Sequence, residues 1–176
     1  MEVEQAIHTL RAVRRFSAQR LSEANELALL EAGRHTGSSK NLQRWQFIVV
    51  REGARLAELA KVGAYAGHLA GAALAIALVT PDPRRAGSPY SIMWDLGRAA
   101  QNMTLAAWAR GIGSVPATVY DQQLCRQILG YPEDQQCEFI LSFGYPADAA
   151  ELSNPPRAGG RHALDEIVHR EGWSER

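Results

Sequence analysis

Cysteine, surplus charge and long apolar runs are all scarce in this chain, and each scarcity removes a class of function. Cys125 and Cys137 are the only two cysteines. Their separation is neither a metal-ligand spacing nor a disulfide framework, so both read as free packing thiols, which suits a reducing, cytoplasmic setting. Lysine plus arginine and aspartate plus glutamate each number 19, for a formal net charge of zero. Nothing therefore favours a nucleic-acid or membrane partner, and any bound anion must be gripped by local cations. The most apolar stretch, LAGAALAIALVT at 69–80, is too short to span a bilayer as a helix. The opening MEVEQAIHTL lacks the basic-then-apolar order expected of a secretory signal. His8, His35, His68, His162 and His169 show no metal-ligand spacing, so no metal is expected. GIGS at 111–114 lacks the third glycine and the acidic residue of a dinucleotide fingerprint, and no nucleophile-base set stands out.

What remains is a chain of 176 residues with 46% hydrophobic content, enough to bury one core and consistent with a single domain over 1–176. Residues 2–10 suit a short helix, and the basic stretch RAVRRFS at 11–17 follows it without amphipathic order. Ser22 can cap a helix that runs out near Arg34, His35 and Gly37. WQFIVV at 45–50 is a strand covered on both faces, and 72–80 is a second buried strand. Leu56, Leu59 and Ala60 mark a short helix between them, and 81–89 is loop. Residues 90–110 carry the broad apolar stripe of a central helix. A strand at 112–120 interrupted by Pro116, a helix capped by Asp121 and ending at Gly130, and a buried strand at 137–146 complete an α+β or α/β order. From about 147 to 176 the composition turns to proline, glycine and charge, with only Leu164, Ile167 and Val168 amphipathic, as in an arm that packs on a partner.

Two polar groupings could carry chemistry. Arg11, Arg14 and Arg15 could converge on one anion, since guanidinium binds phosphate bidentately; alone they read equally as a solvated patch or as salt-bridge partners. The loop TGSSKNLQ at 36–43 offers hydroxyls, amides and close backbone approach, or simply a helix C-cap and turn. Polar groupings without acid-base or metal equipment belong to a binder or to an enzyme that borrows its chemistry from a cofactor.

In order along the chain, RAVRRF, GSSKNLQRWQFIVV, DLGRAAQNMTLAAWARGIGSVPAT, ILGYP with ILSFGYP, and GRHALDEIVH resemble the FMN-dependent nitroreductase family over about residues 6–170. The resemblance implies an α+β nitroreductase-like fold: a central, mainly antiparallel sheet flanked by helices, with a C-terminal tail extending onto the partner subunit. It implies a homodimer with two interfacial FMN sites. Carried over, Arg11 meets the FMN phosphate with the backbone of Ala12 and Val13, and Arg14 reaches the pyrimidine side of the flavin. There a fixed cation stabilises the negative charge that two-electron reduction leaves near N1 and the C2 carbonyl. Ser38, Ser39, Asn41 and Gln43 match the loop that approaches from the partner; Pro116, Ala117 and Thr118 match the segment facing N5; Arg161 matches a C-terminal arginine that closes on the phosphate. Leu10, Ala12, Gly37, Lys40, Arg44 and Val119 depart from the family pattern, and Arg157 with Arg161 could compensate for lost phosphate contacts. Lys40, Tyr65 and Trp94 are candidates to meet substrate, with Tyr90 and Tyr120 as further aromatic candidates. The implied activity is hydride transfer from NAD(P)H to flavin and on to a small-molecule electron acceptor, a nitroaromatic or quinone, in a ping-pong cycle. A flavin enzyme of another class on the same scaffold (fragmentation, dehalogenation or desaturation) and a non-catalytic flavin binder or sensor are the alternatives.

Overall fold

The computed structural model describes residues 1–153 and 160–173; Arg157 lies outside them. Four strands, β1 (Gln46–Val50), β2 (Leu74–Pro81), β3 (Gly113–Thr118) and β4 (Gln135–Gly144), form one sheet in the order β1-β2-β4-β3, with every neighbouring pair antiparallel. Six helices accompany them among the described residues: α1 (Val3–Thr9), α2 (Glu23–Arg34), α3 (Gly53–Leu59), α4 (Ser91–Trp108), α5 (Gln122–Leu129) and α6 (Leu164–Ile167).

Local chemistry explains most boundaries. The Ser22 hydroxyl accepts the Asn25 N–H at 3.2 Å to start α2, and the Asp121 carboxylate accepts the Leu124 N–H at 2.8 Å to start α5. Gly130 closes α5 in the left-handed region at φ 74°. β2 is apolar from Leu74 to Val79 because both faces are covered: Leu74, Ile76 and Leu78 meet α2 and α4, while Ala75, Ala77 and Val79 meet α3 and α5. Full burial of each large side chain in that run contributes roughly 1.5–3 kcal/mol. Gly33 of α2 lies so close to Met103 of α4 and Phe47 of β1 that a side chain there would meet both.

One expectation is corrected. β3 runs unbroken through Pro116, because β3 is the last strand in the sheet order and an edge strand tolerates a residue without an N–H. The basic stretch 11–17, irregular as expected, runs from β3 to the residues after β4. Ala12 bridges Ser114 in parallel, the Val13 N–H donates to the Ser114 carbonyl at 3.1 Å, and Phe16 bridges Pro146. At the far end of the chain, α6 leaves Leu164 and Ile167 open, 75% and 59% exposed.

The contact between 11–17 and β3 depends on glycine at 113, where a Cβ would stand 2.5–2.8 Å from the stiff Val13 isopropyl group. Gly113→Ala should therefore lower the urea midpoint by an amount equivalent to about 1–3 kcal/mol, the usual scale of overpacking. An unchanged midpoint would show that 11–17 yields freely.

Candidate functional site

The first grouping is built on the β3 edge. Val13 is buried beside Trp108, which turns its neighbour Arg14 outward. From the bridge of Ala12 with Ser114 the segment passes to the end of β4, where the Ala147 N–H donates to the Arg15 carbonyl at 2.9 Å and Phe16 bridges Pro146. Arg14 is exposed and makes no ion pair among the described residues. The other two arginines of the cluster are committed elsewhere. Arg11 donates through Nη1 to the carbonyls of His8 (3.1 Å) and Leu10 (2.9 Å) at the end of α1, leaving its Nε buried without a partner. Arg15 reaches Glu151 at 3.4 Å. On β3, Pro116 and Thr118 are exposed while Ala117 is buried in the core. The turn after α3 abuts the end of β3: a side chain on Gly63 would collide with the Thr118 carbonyl, and Tyr65, 82% exposed, sits in that turn.

His68 belongs to this grouping although its sequence context singled out nothing. It stands in the 3-10 turn Gly67–Gly71, with Nδ1 2.9 Å from the Ser142 hydroxyl. The same hydroxyl lies 3.2 Å from the Val115 carbonyl, so it ties the ring to β3 as well as to β4. Nε2 is buried and has no partner. Burial, and then the Arg14 guanidinium, hold the His68 pKa below its ordinary value, against an opposing pull from the Pro116 carbonyl. A single polar residue in an apolar stretch, GHLAGAALAIAL, was the available signal.

The second grouping is the loop at 36–43. Its backbone departs sharply from regular structure: Lys40, Asn41 and Gln43 all have left-handed φ, at 52°, 54° and 45°. Such conformations cost about 1–3 kcal/mol each in residues other than glycine and persist only where the surroundings impose them. Here Asp95 of α4, 5% exposed, accepts the Ser39 N–H at 2.9 Å, and the Ser38 hydroxyl accepts the Gln43 N–H at 3.0 Å. Asn102 donates to the Thr36 hydroxyl at 2.8 Å, and the Arg98 guanidinium lies against Gly37. Asp95 was legible as the one carboxylate on the stripe Ile92, Leu96, Ala99, but was missed. Lys40 is exposed, as is Trp94 (71%), the residue before Asp95 on α4.

The two groupings do not meet within one chain. Thr118 pairs Phe139, Phe139 pairs Leu78, and Leu78 pairs Phe47, which places the β3 edge three inter-strand spacings, about 14 Å, from β1 and its loop. Tyr65 thus falls with Arg14, Pro116, Thr118 and His68, whereas Ser38, Ser39, Lys40, Asn41, Gln43 and Trp94 form the other group. Arg161 is exposed in the C-terminal segment, with no hydrogen bond to either group among the described residues. Tyr90 and Tyr120 are also exposed. A cavity of about 640 Å³ lies beyond the loop, lined by Leu42, Gln43, Ile48, Val79 and Tyr131 among others, and touches only Gln43 of these groups. The cysteines are packing residues: Cys137 is held well above its ordinary pKa by its neighbour Cys125 and by burial.

Two outcomes follow from this geometry. The folded state keeps His68 neutral while an unfolded histidine takes up a proton below about pH 6.5, so stability is full above that value and declines as pH falls beneath it. His68→Gln should remove part of the decline, measured as the difference in urea midpoint between neutral and mildly acidic buffer; an identical decline in both proteins would contradict the assignment. Asp95→Ala removes a charged acceptor worth about 1.5–3 kcal/mol and should speed amide exchange at Ser39 more than at the β2 amides.

Comparison with known proteins agrees with this architecture. The sequence model of the nitroreductase family matches residues 7–66 and 60–145. A protein of Archaeoglobus fulgidus with the provisional name NADH dehydrogenase/NAD(P)H nitroreductase is 35% identical over 173 residues, which cover 95% of this chain and 96% of that protein. Among solved structures, an FMN-dependent nitroreductase from Clostridium difficile superposes with TM-score 0.79 at 22% identity, covering 96% of this chain and 98% of that one. The NADPH:FMN oxidoreductase from Vibrio harveyi, complexed with NAD+, superposes with TM-score 0.84 at 22% identity, covering 99% and 79%. At those identities the two structures speak for the fold, while the family match and the archaeal relative establish kinship: this chain belongs to the nitroreductase family.

Proposed function

We propose that the chain is a homodimeric FMN oxidoreductase that accepts hydride from NAD(P)H and passes electrons to a small planar acceptor, a nitroaromatic or quinone, in a ping-pong cycle. The observation that carries this reading is the division of the polar residues between opposite edges of one rigid sheet. Each group alone is half a site: Arg14, Pro116 and Thr118 are exposed on one edge, and the strained loop with Lys40 and Trp94 is exposed on the other. A second copy can bring its loop to the β3 edge of the first. The exposed Leu164 and Ile167 fit an arm, about 147–176, that packs on that second copy and carries Arg161 toward the pocket.

The residues suit FMN. Among the described residues Arg14 is an exposed cation without an ion-pair partner, and the buried Arg11 Nε and His68 Nε2 have no hydrogen-bond partner. When bound, the flavin supplies the redox chemistry. The chain's own contribution is placement and charge. Arg14 holds a permanent positive charge in the open, the backbone of Ala12 and Val13 is fixed against β3, and Asp95 orients the loop bearing Ser38, Ser39, Asn41 and Gln43. Arg11 must release the end of α1 before it can meet a phosphate, so most of the initial attraction for the anion falls to Arg14 and Arg161. Lys40 adds a cation on the substrate side, suited to an anionic acceptor or to a nucleotide phosphate.

The test is an absorbance spectrum of purified protein with FMN, before and after anaerobic NAD(P)H. The expected result is bound flavin that bleaches with the reduced nucleotide and recovers its colour with a quinone. Arg14→Gln should slow bleaching by about tenfold or more, the loss of roughly 1.4 kcal/mol of charge stabilisation. A protein that binds no FMN overturns the reading; one whose bound FMN resists NAD(P)H is a flavin enzyme of another class or a sensor.

A further inference from the structure

Helix α4 meets the 36–43 loop through Asp95, Arg98 and Asn102, which lie along one face of the helix. Asp95 accepts the Ser39 N–H at 2.9 Å, and Asn102 donates to the Thr36 hydroxyl at 2.8 Å. Between these two ties the Arg98 guanidinium lies against Gly37, yet its donors are unused: it makes no hydrogen bond and no ion pair among the described residues, and it is exposed. Glycine at 37 is what admits it. A Cβ there would stand 3.1 Å from Nη2 and 3.7 Å from Nη1, so a side chain would push the guanidinium off this seat. Holding the loop does not account for the arrangement, because Asp95 and Asn102 already do so.

Two groups share the surroundings of Arg98. Trp94, 71% exposed, precedes it by one turn, which sets their Cβ atoms about 6 Å apart on one side of α4. Lys40, exposed, follows Gly37 by three residues on the loop, within about 11 Å along the chain. The charge there is unopposed: Asp95 is the one carboxylate in 94–102, it is buried and committed to the Ser39 N–H, and 36–43 contains none.

We propose that Arg98, seated on Gly37, is a specificity-determining residue that selects electron acceptors carrying a carboxylate directly on an aromatic ring. The ring lies against the Trp94 indole, the carboxylate meets the guanidinium, and Lys40 adds to the attraction. The inference rests on the flavin reading above, since it names the class of acceptor for that site. Guanidinium and carboxylate form paired, charge-assisted hydrogen bonds that a neutral acceptor of the same shape cannot make. An aromatic acid fits better here than a nucleotide. In a nucleotide a ribose separates each base from its phosphate, whereas an aromatic acid holds its charge beside the ring, as a cation one helical turn from an indole requires.

Two probes of one shape separate charge from fit: para-nitrobenzoate and its neutral amide, para-nitrobenzamide. In FMN-free protein the Arg98 guanidinium signal, followed by nitrogen NMR and assigned by its loss in Arg98→Gln, should shift with nitrobenzoate, less with acetate at the same concentration, and not with nitrobenzamide. In FMN-loaded protein supplied with NAD(P)H, the ratio of kcat/KM for the acid over the amide should fall by about fivefold or more in Arg98→Gln, chiefly through the KM of the acid. Gly37→Ala keeps the arginine but displaces its head, and should lower the same ratio. Asn102→Ala loosens the loop through Thr36 without altering the charge, and should preserve it. The proposal is overturned by an Arg98 signal indifferent to nitrobenzoate or equally responsive to acetate, by a ratio that Arg98→Gln and Gly37→Ala leave alone, or by one that Asn102→Ala lowers as far. A KM effect confined to NAD(P)H also overturns it, by assigning the cation to the donor. If FMN does not bind, the flavin reading fails and the acceptor ratio with it, while the NMR arm still decides whether Arg98 takes an aromatic carboxylate.

Discussion

The burial of β2 on both faces is the constraint on which the rest depends. Leu74, Ile76 and Leu78 are locked against the α2–α4 layer while Ala75, Ala77 and Val79 are locked against α3 and α5, so β2 can neither slip nor tilt without exposing one set. A one-residue slip would exchange the two faces and place alanines where the larger layer needs leucine and isoleucine. With β2 held, β1 and β4 take their registers from it, and β3 from β4. The separation between the β3 edge and the loop before β1 is therefore a rigid dimension of the sheet. It cannot close by local rearrangement.

The loop at 36–43 shows how such a fold tolerates local cost. Three left-handed residues in succession or near-succession amount to about 3 kcal/mol or more of backbone strain. Asn41 bears its share most easily, since asparagine visits that region more readily than lysine or glutamine. Against the strain stand the charge-assisted bond from Ser39 to Asp95, worth about 1.5–3 kcal/mol, and the neutral bonds at Ser38 and Thr36, worth about 1 kcal/mol each. The two sides are comparable, so the loop is held in shape by α4 and by its own hydroxyls more than by the strand that follows. The buried Trp45 fastens the far end. A loop balanced in this way presents fixed polar groups without needing a ligand to order them.

Reading the chain alone recovers those features that depend on neighbours within a few positions. Ser22, Asp121 and Gly130 act at the helix ends where their chemistry predicts, the apolar run in β2 is a strand covered on both faces, and the broad stripe of α4 marks a central helix. The ordered set of short motifs carried the family, and with it the outline of an antiparallel sheet between helices. The misses are of another kind. Pro116 reads locally as a break, yet on the edge strand β3 its nitrogen faces away from β4, where no bond of that ladder is lost. RAVRRFS has no periodicity because its partners, Ser114 on β3 and Tyr145 to Ala147 after β4, lie a hundred or more residues away, and three arginines that look equivalent in the sequence part ways: Arg11 turns to the end of α1, Arg15 to Glu151, and Arg14 stays open.

What the sequence determined by itself was therefore the type and rough extent of each element, the kinship, and the stock of cations and small residues available to a cofactor. Only the tertiary structure decided that Arg11 and Arg15 find partners while Arg14 stands open, that Asp95 holds the 36–43 loop, and that His68 is tied to Ser142 of β4. The reason is the same in each case. These outcomes rest on single contacts between residues fifty or more positions apart, Ser39 with Asp95 and His68 with Ser142, and a contact of that kind leaves no periodic trace in either stretch of chain.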